Sequence, residues 1–155
     1  MTTHDDNRAL EEIRTQRADL WNQLVGLERA IATPLPGRVE EWAGGVHEAL
    51  VELSATFERH CAMVEAPGGL FAEVLEAAPR LGSMVTRLRD EHVEISDQLR
   101  TELRDVRELA KGGTVDEAVT VRDRLTALLG LLSRHRQGGA DLVYEAYAVD
   151  IGVGD

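Results

Sequence analysis

The stretch VTRLRDEHVEISDQL, residues 85–99, sets apolar side chains at Val85, Leu88, Ile95 and Leu99, with His92 where the rhythm requires another. Steps of three and four residues put all five positions on one face of an α-helix, because a helix advances 3.6 residues per turn. The whole segment, about 80–110, also carries Leu81 and Val106 on that face. Downstream, the segment of about 115–136 repeats the pattern with Val115, Ala118, Leu125, Leu128 and Leu132. Upstream, about 38–65 carries Val39, Trp42, Val46, Leu50, Leu53, Phe57 and Val64, and about 6–32 carries Leu10, Ile13, Leu20, Leu24, Leu27 and Ile31. A shorter run over about 69–77 holds Leu70, Phe71, Val74 and Leu75.

Breaks fall between these segments. Thr33-Pro34-Leu35-Pro36-Gly37 and Ala66-Pro67-Gly68-Gly69 each contain proline, which cannot donate an amide inside a helix. Lys111-Gly112-Gly113 is a third break, Pro79 marks a weaker one, and Thr114 followed by Glu117 is a capping box opening the last long helix. Short connections between long amphipathic helices favour antiparallel neighbours. The expected fold is therefore all-α, an up-down-up-down four-helix bundle over residues 1–155, with a short extra helix between helices two and three. The tail, Ala140 to Ile151, is apolar enough to pack back as a further helical turn or two, with a kink or register shift at Gly138-Gly139.

Composition agrees and narrows the function. Of 155 residues, 43% are apolar, 29% charged and only 4% aromatic, which favours helix over sheet. Acids outnumber bases 28 to 17 for a net charge of −11, with no basic run, so a nucleic-acid role is set aside. No stretch is long and apolar enough to span a bilayer, and the N-terminus lacks the features of a signal peptide. One cysteine, Cys61, excludes an internal disulfide and suits a reducing compartment; the expectation is a cytoplasmic protein.

Each long apolar stripe is interrupted once. The interruptions are Arg17 in the first, His60 in the second, His92 in the third and His135 in the fourth. Arg17 and His92 lie about a dozen residues after their helix starts, and His60 and His135 lie near their helix ends. In an up-down bundle those depths coincide, so the four fall in roughly one layer. Arg17 to His60 and His92 to His135 are both 43 residues, which suggests two helix pairs related by a pseudo-twofold. A lone histidine on an apolar face is ordinarily a core residue with a backbone or water partner. Three meeting in one layer are costly to bury, and a metal ion partners all three at once.

At these residues the chain resembles the hemerythrin-like, or HHE cation-binding, family. The matching elements are His60 to Glu65 followed by Pro67-Gly68-Gly69-Leu70-Phe71, then Asp90-Glu91-His92, then His135 with Asp141. The resemblance implies a four-helix bundle holding non-haem iron, mono- or di-iron. His60, Glu65, His92, His135 and Asp141 would be ligands, and Glu12 or Arg17 would be the first-helix contributor. It also implies a small ligand such as dioxygen, peroxide or nitric oxide. The chain departs from the family's pattern in three places. His60 and Glu65 are five apart and diverge by about 140° on a regular helix. Asp141 is six from His135 and returns to the face only if Gly138-Gly139 distorts the helix. The first-helix histidine is absent, with Arg17 near its place, while His4 and His47 lie at other depths.

The alternative is a metal-free scaffold or interaction protein, in which Arg17 pairs with Glu65 and Asp141 while the histidines donate to the same carboxylates. Arg17 discriminates: reaching the histidine layer favours the metal-free reading, and snorkelling outward favours the metal. Cys61 reads as a small core or interface thiol, Trp21 and Trp42 as packing on the seam of helices one and two, and Tyr144 and Tyr147 as cover for the open end of the bundle. The charged runs 87–91 and 100–105 read as solvated faces with local ion pairs.

Overall fold

A computed structural model describes the backbone of residues 2–151 and the side chains of residues 8, 11–12 and 14–147. Four long helices and one short one follow each other: α1 Thr2–Ile31, α2 Val39–Glu65, α3 Leu70–Ala77, α4 Gly82–Lys111 and α5 Val115–Ile151, with a 3-10 turn at Pro79–Leu81 before α4. No strand occurs among the described residues. Leu10, Ile13 and His4 lie outside the described side chains.

Cross-helix bonds fix the directions. The indole N–H of Trp42, at the start of α2, donates to the carbonyl of Ile31 at the end of α1 over 3.2 Å. Arg89 early in α4 faces Glu65 at the end of α2. Arg124 early in α5 reaches Glu102 and Asp105 late in α4, whereas Arg80, just before α4, donates to the carbonyl of Glu145 late in α5. Consecutive long helices are thus antiparallel. α2 packs most extensively on α4 and α1, and α5 closes the bundle chiefly against α4.

The breaks act as the chain chemistry demands. Gly37, Gly68 and Gly112 adopt positive φ, the left-handed region open to glycine. A Cβ on Gly69 would run into the backbone carbonyls of Met63 and Ala66, so the tight turn out of α2 requires glycine there. The Thr114 hydroxyl accepts the amide N–H of Glu117 at 3.2 Å and donates to its carboxylate at 3.1 Å, capping α5.

Two expectations about elements are corrected. The tail is not a separate turn packing back: α5 runs unbroken through Gly138-Gly139 to Ile151. Gly138 is buried because it lets α5 approach α4; a Cβ there would stand 3.1 Å from Leu88 Cδ2. Trp21 lies not on the α1–α2 seam but on the α5 side, 46% exposed, with the Arg136 guanidinium 4.5 Å above its ring. Trp42 does seal the α1–α2 seam.

The core comes in two parts. The larger, with Leu20, Leu27, Leu50, Phe57, Ile95 and Leu132, fills most of the bundle; the smaller gathers Val64, Phe71, Leu88, Leu142 and Ala146 at the end where α3 crosses. Burying each large side chain stabilises the fold by about 1.5–3 kcal/mol. His60 lies between Phe57 and Val64, His92 between Leu88 and Ile95, and His135 between Leu132 and Leu142. A polar layer therefore divides the two apolar cores.

Candidate metal centre

The layer is assembled from three helices. α2 supplies His60, α4 His92 and α5 His135, and one ring nitrogen from each lies within 4.8 Å of the other two. Ring centroids are 5.4 Å apart for His60–His92, 5.9 Å for His60–His135 and 4.8 Å for His92–His135. Phe57 forms the floor, its centroid 5.8–6.0 Å from all three imidazoles. Phe71 stacks on His92 at 5.6 Å, which is what the short helix α3 contributes to the site. His92 and His135 are buried and His60 nearly so.

The His60 and His92 imidazoles are kept neutral. Burial, then the neighbouring His135 and Arg17, push the His60 pKa down to about 4. Burial, then His135, His60 and Arg89, push His92 to about 3. The Glu65 carboxylate, 3.6 Å from His92 Nδ1, pulls the other way, but it is 37% exposed and its field is screened by water. A neutral imidazole offers one N–H and one lone pair. His135 spends its Nδ1 on the Glu91 carboxylate at 2.7 Å, leaving Nε2. Both nitrogens of His92 are buried without a hydrogen-bond partner. Such orphaned polar atoms cost about 1–3 kcal/mol each, and native structures rarely tolerate them without a reason.

The residues fit a transition-metal ion. Donors within 4.8 Å of one another leave a point no more than ~2.8 Å from each, against metal–imidazole bonds of about 2.0–2.1 Å. Movements of under about 1 Å, within reach of ordinary side-chain adjustment, would close the site. Neutral imidazole suits zinc, copper, iron and nickel.

The other expected contributors are placed less uniformly. Glu65 stands beside His92 and also faces Arg89 Nε at 3.9 Å, turned toward α4 and away from His60. Asp141 is exposed and accepts a hydrogen bond from Gln137, because α5 continues regularly and carries it off the face. Glu12 is exposed and pairs with Arg8. Arg17 does reach the layer, the placement that favours the metal-free reading: it is half-buried and lines the same cavity as the three histidines, so four helices meet at one depth. Among the described residues it pairs with neither Glu65 nor Asp141, so the expected metal-free network does not form.

Sequence reading missed Glu91. It belongs to the run 87–91, read as a solvated face, yet it is half-buried and orients a histidine 44 residues away. The only available signal was its position beside His92. Glu102, from the other such run, is likewise buried, held at 2.9 and 3.1 Å by Arg124. Burial and Glu65 push the Cys61 thiol up to about 12, so it stays protonated and is no nucleophile. Tyr144 and Tyr147 are exposed; Tyr147 donates to Glu73 at 3.4 Å.

A small cavity of about 50 Å³ opens beside the layer, bounded by Arg17, Arg136 and Gly139 as well as the histidines. Among the described residues, no helix is long and apolar enough to cross a membrane. The chain matches no family model, no curated protein and no solved structure.

Proposed function

We propose that this bundle binds a transition-metal ion, most naturally non-haem iron, through His60, His92 and His135. The observation that carries the reading is the buried, neutral and unpartnered His92 inside a three-histidine cluster. One nitrogen of His92 would meet the metal, and the other would donate to Glu65 after a shift of about 1 Å. His135, donating through Nδ1 to the Glu91 carboxylate, would present Nε2. Carboxylates behind metal-bound imidazoles fix the ring orientation and raise ligand basicity. Three protein nitrogens leave positions open, and the cavity gives them room for a small ligand. The likeness to the hemerythrin-like family supports iron and a small ligand such as dioxygen, peroxide or nitric oxide. The geometry supports a single-ion site, since Asp141 and Glu12 stand outside it.

Metal content decides the matter. Untagged protein made in iron-supplemented medium is measured by plasma mass spectrometry beside the double variant His60→Ala, His135→Ala. About one iron per chain, absent from the variant, is the expected result. Less than about a tenth of an equivalent, with a melting point unchanged by chelation, would overturn the proposal.

A further inference from the structure

The cavity beside the histidine layer is positively charged in a protein whose net charge is −11. Its lining includes Arg17 and Arg136 and no aspartate or glutamate. Arg17 is half-buried and has no ion pair or hydrogen bond with any described residue. Removal from water and the nearby Arg136 both depress its pKa, although a guanidinium remains charged at neutral pH. Arg136 rests on the Trp21 ring, which holds it at the rim without neutralising it. Two cations with no counter-charge in the cavity lining, beside the neutral imidazoles of His60 and His92, form an environment that a bare metal dication would make worse, even with Glu65 and Glu91 behind the imidazoles. An anion bound between the guanidinium and the metal would relieve both.

We infer that Arg17 and Arg136 make this cavity a receptor for a small anion, held between the Arg17 guanidinium and the histidine layer. The inference rests on the proposed metal site for what the anion's other end would touch. Size limits the ligand: about 50 Å³ admits an anion of about three or four non-hydrogen atoms, judged against the 10–15 Å³ that one water needs. Azide, formate, bicarbonate and hydroperoxide belong to that class. The guanidinium matches a carboxylate or another anion with adjacent acceptor atoms, because its N–H groups point in parallel. Apolar walls from Leu20, Val64 and Leu88 keep competing water few and strengthen the charge interaction.

The test uses the full-length chain loaded with cobalt(II), whose visible spectrum reports its ligands. Sodium azide replaces sodium gluconate, an anion too large for the cavity, at constant ionic strength. The expected result is a saturable spectral change whose midpoint rises ~10-fold or more in Arg17→Met, the loss of one charge-assisted hydrogen bond. Cobalt affinity in that variant should be equal or tighter, since a repelling charge is gone. Arg136→Gln should weaken azide less, and its exposed position makes it a safe second variant should Arg17→Met fold poorly. No azide response in the wild type, or equal midpoints in all folded forms, would overturn the inference while leaving the metal site standing. Failure of the wild type to bind cobalt would refute the metal site instead. The metal-free protein then decides: a saturable rise in melting temperature with azide that Arg17→Met or Arg136→Gln reduces upholds the anion receptor, and no such rise overturns it.

Discussion

His92 shows how one side chain can be poor for the fold and good for a site. Both its nitrogens are buried and unpartnered, while its ring packs against Phe57 and Phe71. Replacing it with leucine removes the polar cost of about 1–3 kcal/mol per orphaned atom and forfeits ring contacts of about 0.5–1.5 kcal/mol each. The metal-free His92→Leu variant is therefore expected to be more stable than the wild type by about 1 kcal/mol in guanidinium unfolding, and to bind no metal. A loss of about 2 kcal/mol or more, usual for truncating a buried residue, would show that the imidazole is already satisfied. Glu91 is the converse case. Glu91→Gln keeps its size and weakens its hold on His135, so metal affinity in a competition titration should fall about 10–100-fold with little change in unfolding of the metal-free protein. The histidines were legible because each interrupts an apolar stripe. Glu91 was not: a carboxylate one position from His92, within a run of charges, gives no sign in sequence that it turns inward toward another helix.

At the scale of elements, the helix ends were readable wherever proline or glycine removes a donor or requires a positive φ, as at Pro34-Leu35-Pro36-Gly37 and Pro67-Gly68. The continuity of α5 was not readable. A glycine pair costs about 1 kcal/mol per residue inside a helix, and local propensity argues for a break. Packing overrides it, because Gly138 lets α5 pack tightly on Leu88 of α4. That continuity carries Asp141 outward and costs the site a carboxylate expected from sequence. The two glycines should respond oppositely. Gly139→Ala places a Cβ in open space and is expected to raise stability by up to about 1 kcal/mol. Gly138→Ala presses on Leu88 Cδ2 at 3.1 Å, so part or all of that gain should vanish in thermal unfolding. Equal stabilisation by both would mean that the α4–α5 contact yields freely.

For the whole molecule, one polar layer between two apolar cores ties folding, acidity and metal together. The shared depth of Arg17, His60, His92 and His135 followed from counting residues from the starts of helices one and three and the ends of helices two and four. Which of them face a partner did not, since partners such as Glu91 and Arg136 are set by the neighbouring helix. The neutrality of His60 and His92 fixes the response to pH. In the unfolded chain a histidine titrates near 6.5, whereas His60 and His92 are held at about 4 and about 3 in the fold. Between those values the unfolded state binds more protons than the folded one, so stability rises with pH across this window and is lost on acidification. Above about pH 6.5 both states carry neutral rings and the contribution is constant. The metal-free protein should therefore lose on the order of 1–2 kcal/mol per pH unit between about pH 6 and pH 4, measured by guanidinium unfolding. The His60→Leu, His92→Leu double variant should show a flatter profile over the same range. Metal adds a second dependence. An ion at 100 times its dissociation constant stabilises the fold by about 2.7 kcal/mol, which a chelator should remove as a fall of roughly 5–10 °C in melting temperature at pH 7. With His60 and His92 held at about 4 and about 3, protons compete for these nitrogens only below about pH 4, so the gap should hold down to about pH 5 and narrow toward about pH 3. A gap between loaded and chelated protein that persists unchanged at about pH 3 would place the metal on ligands other than these histidines.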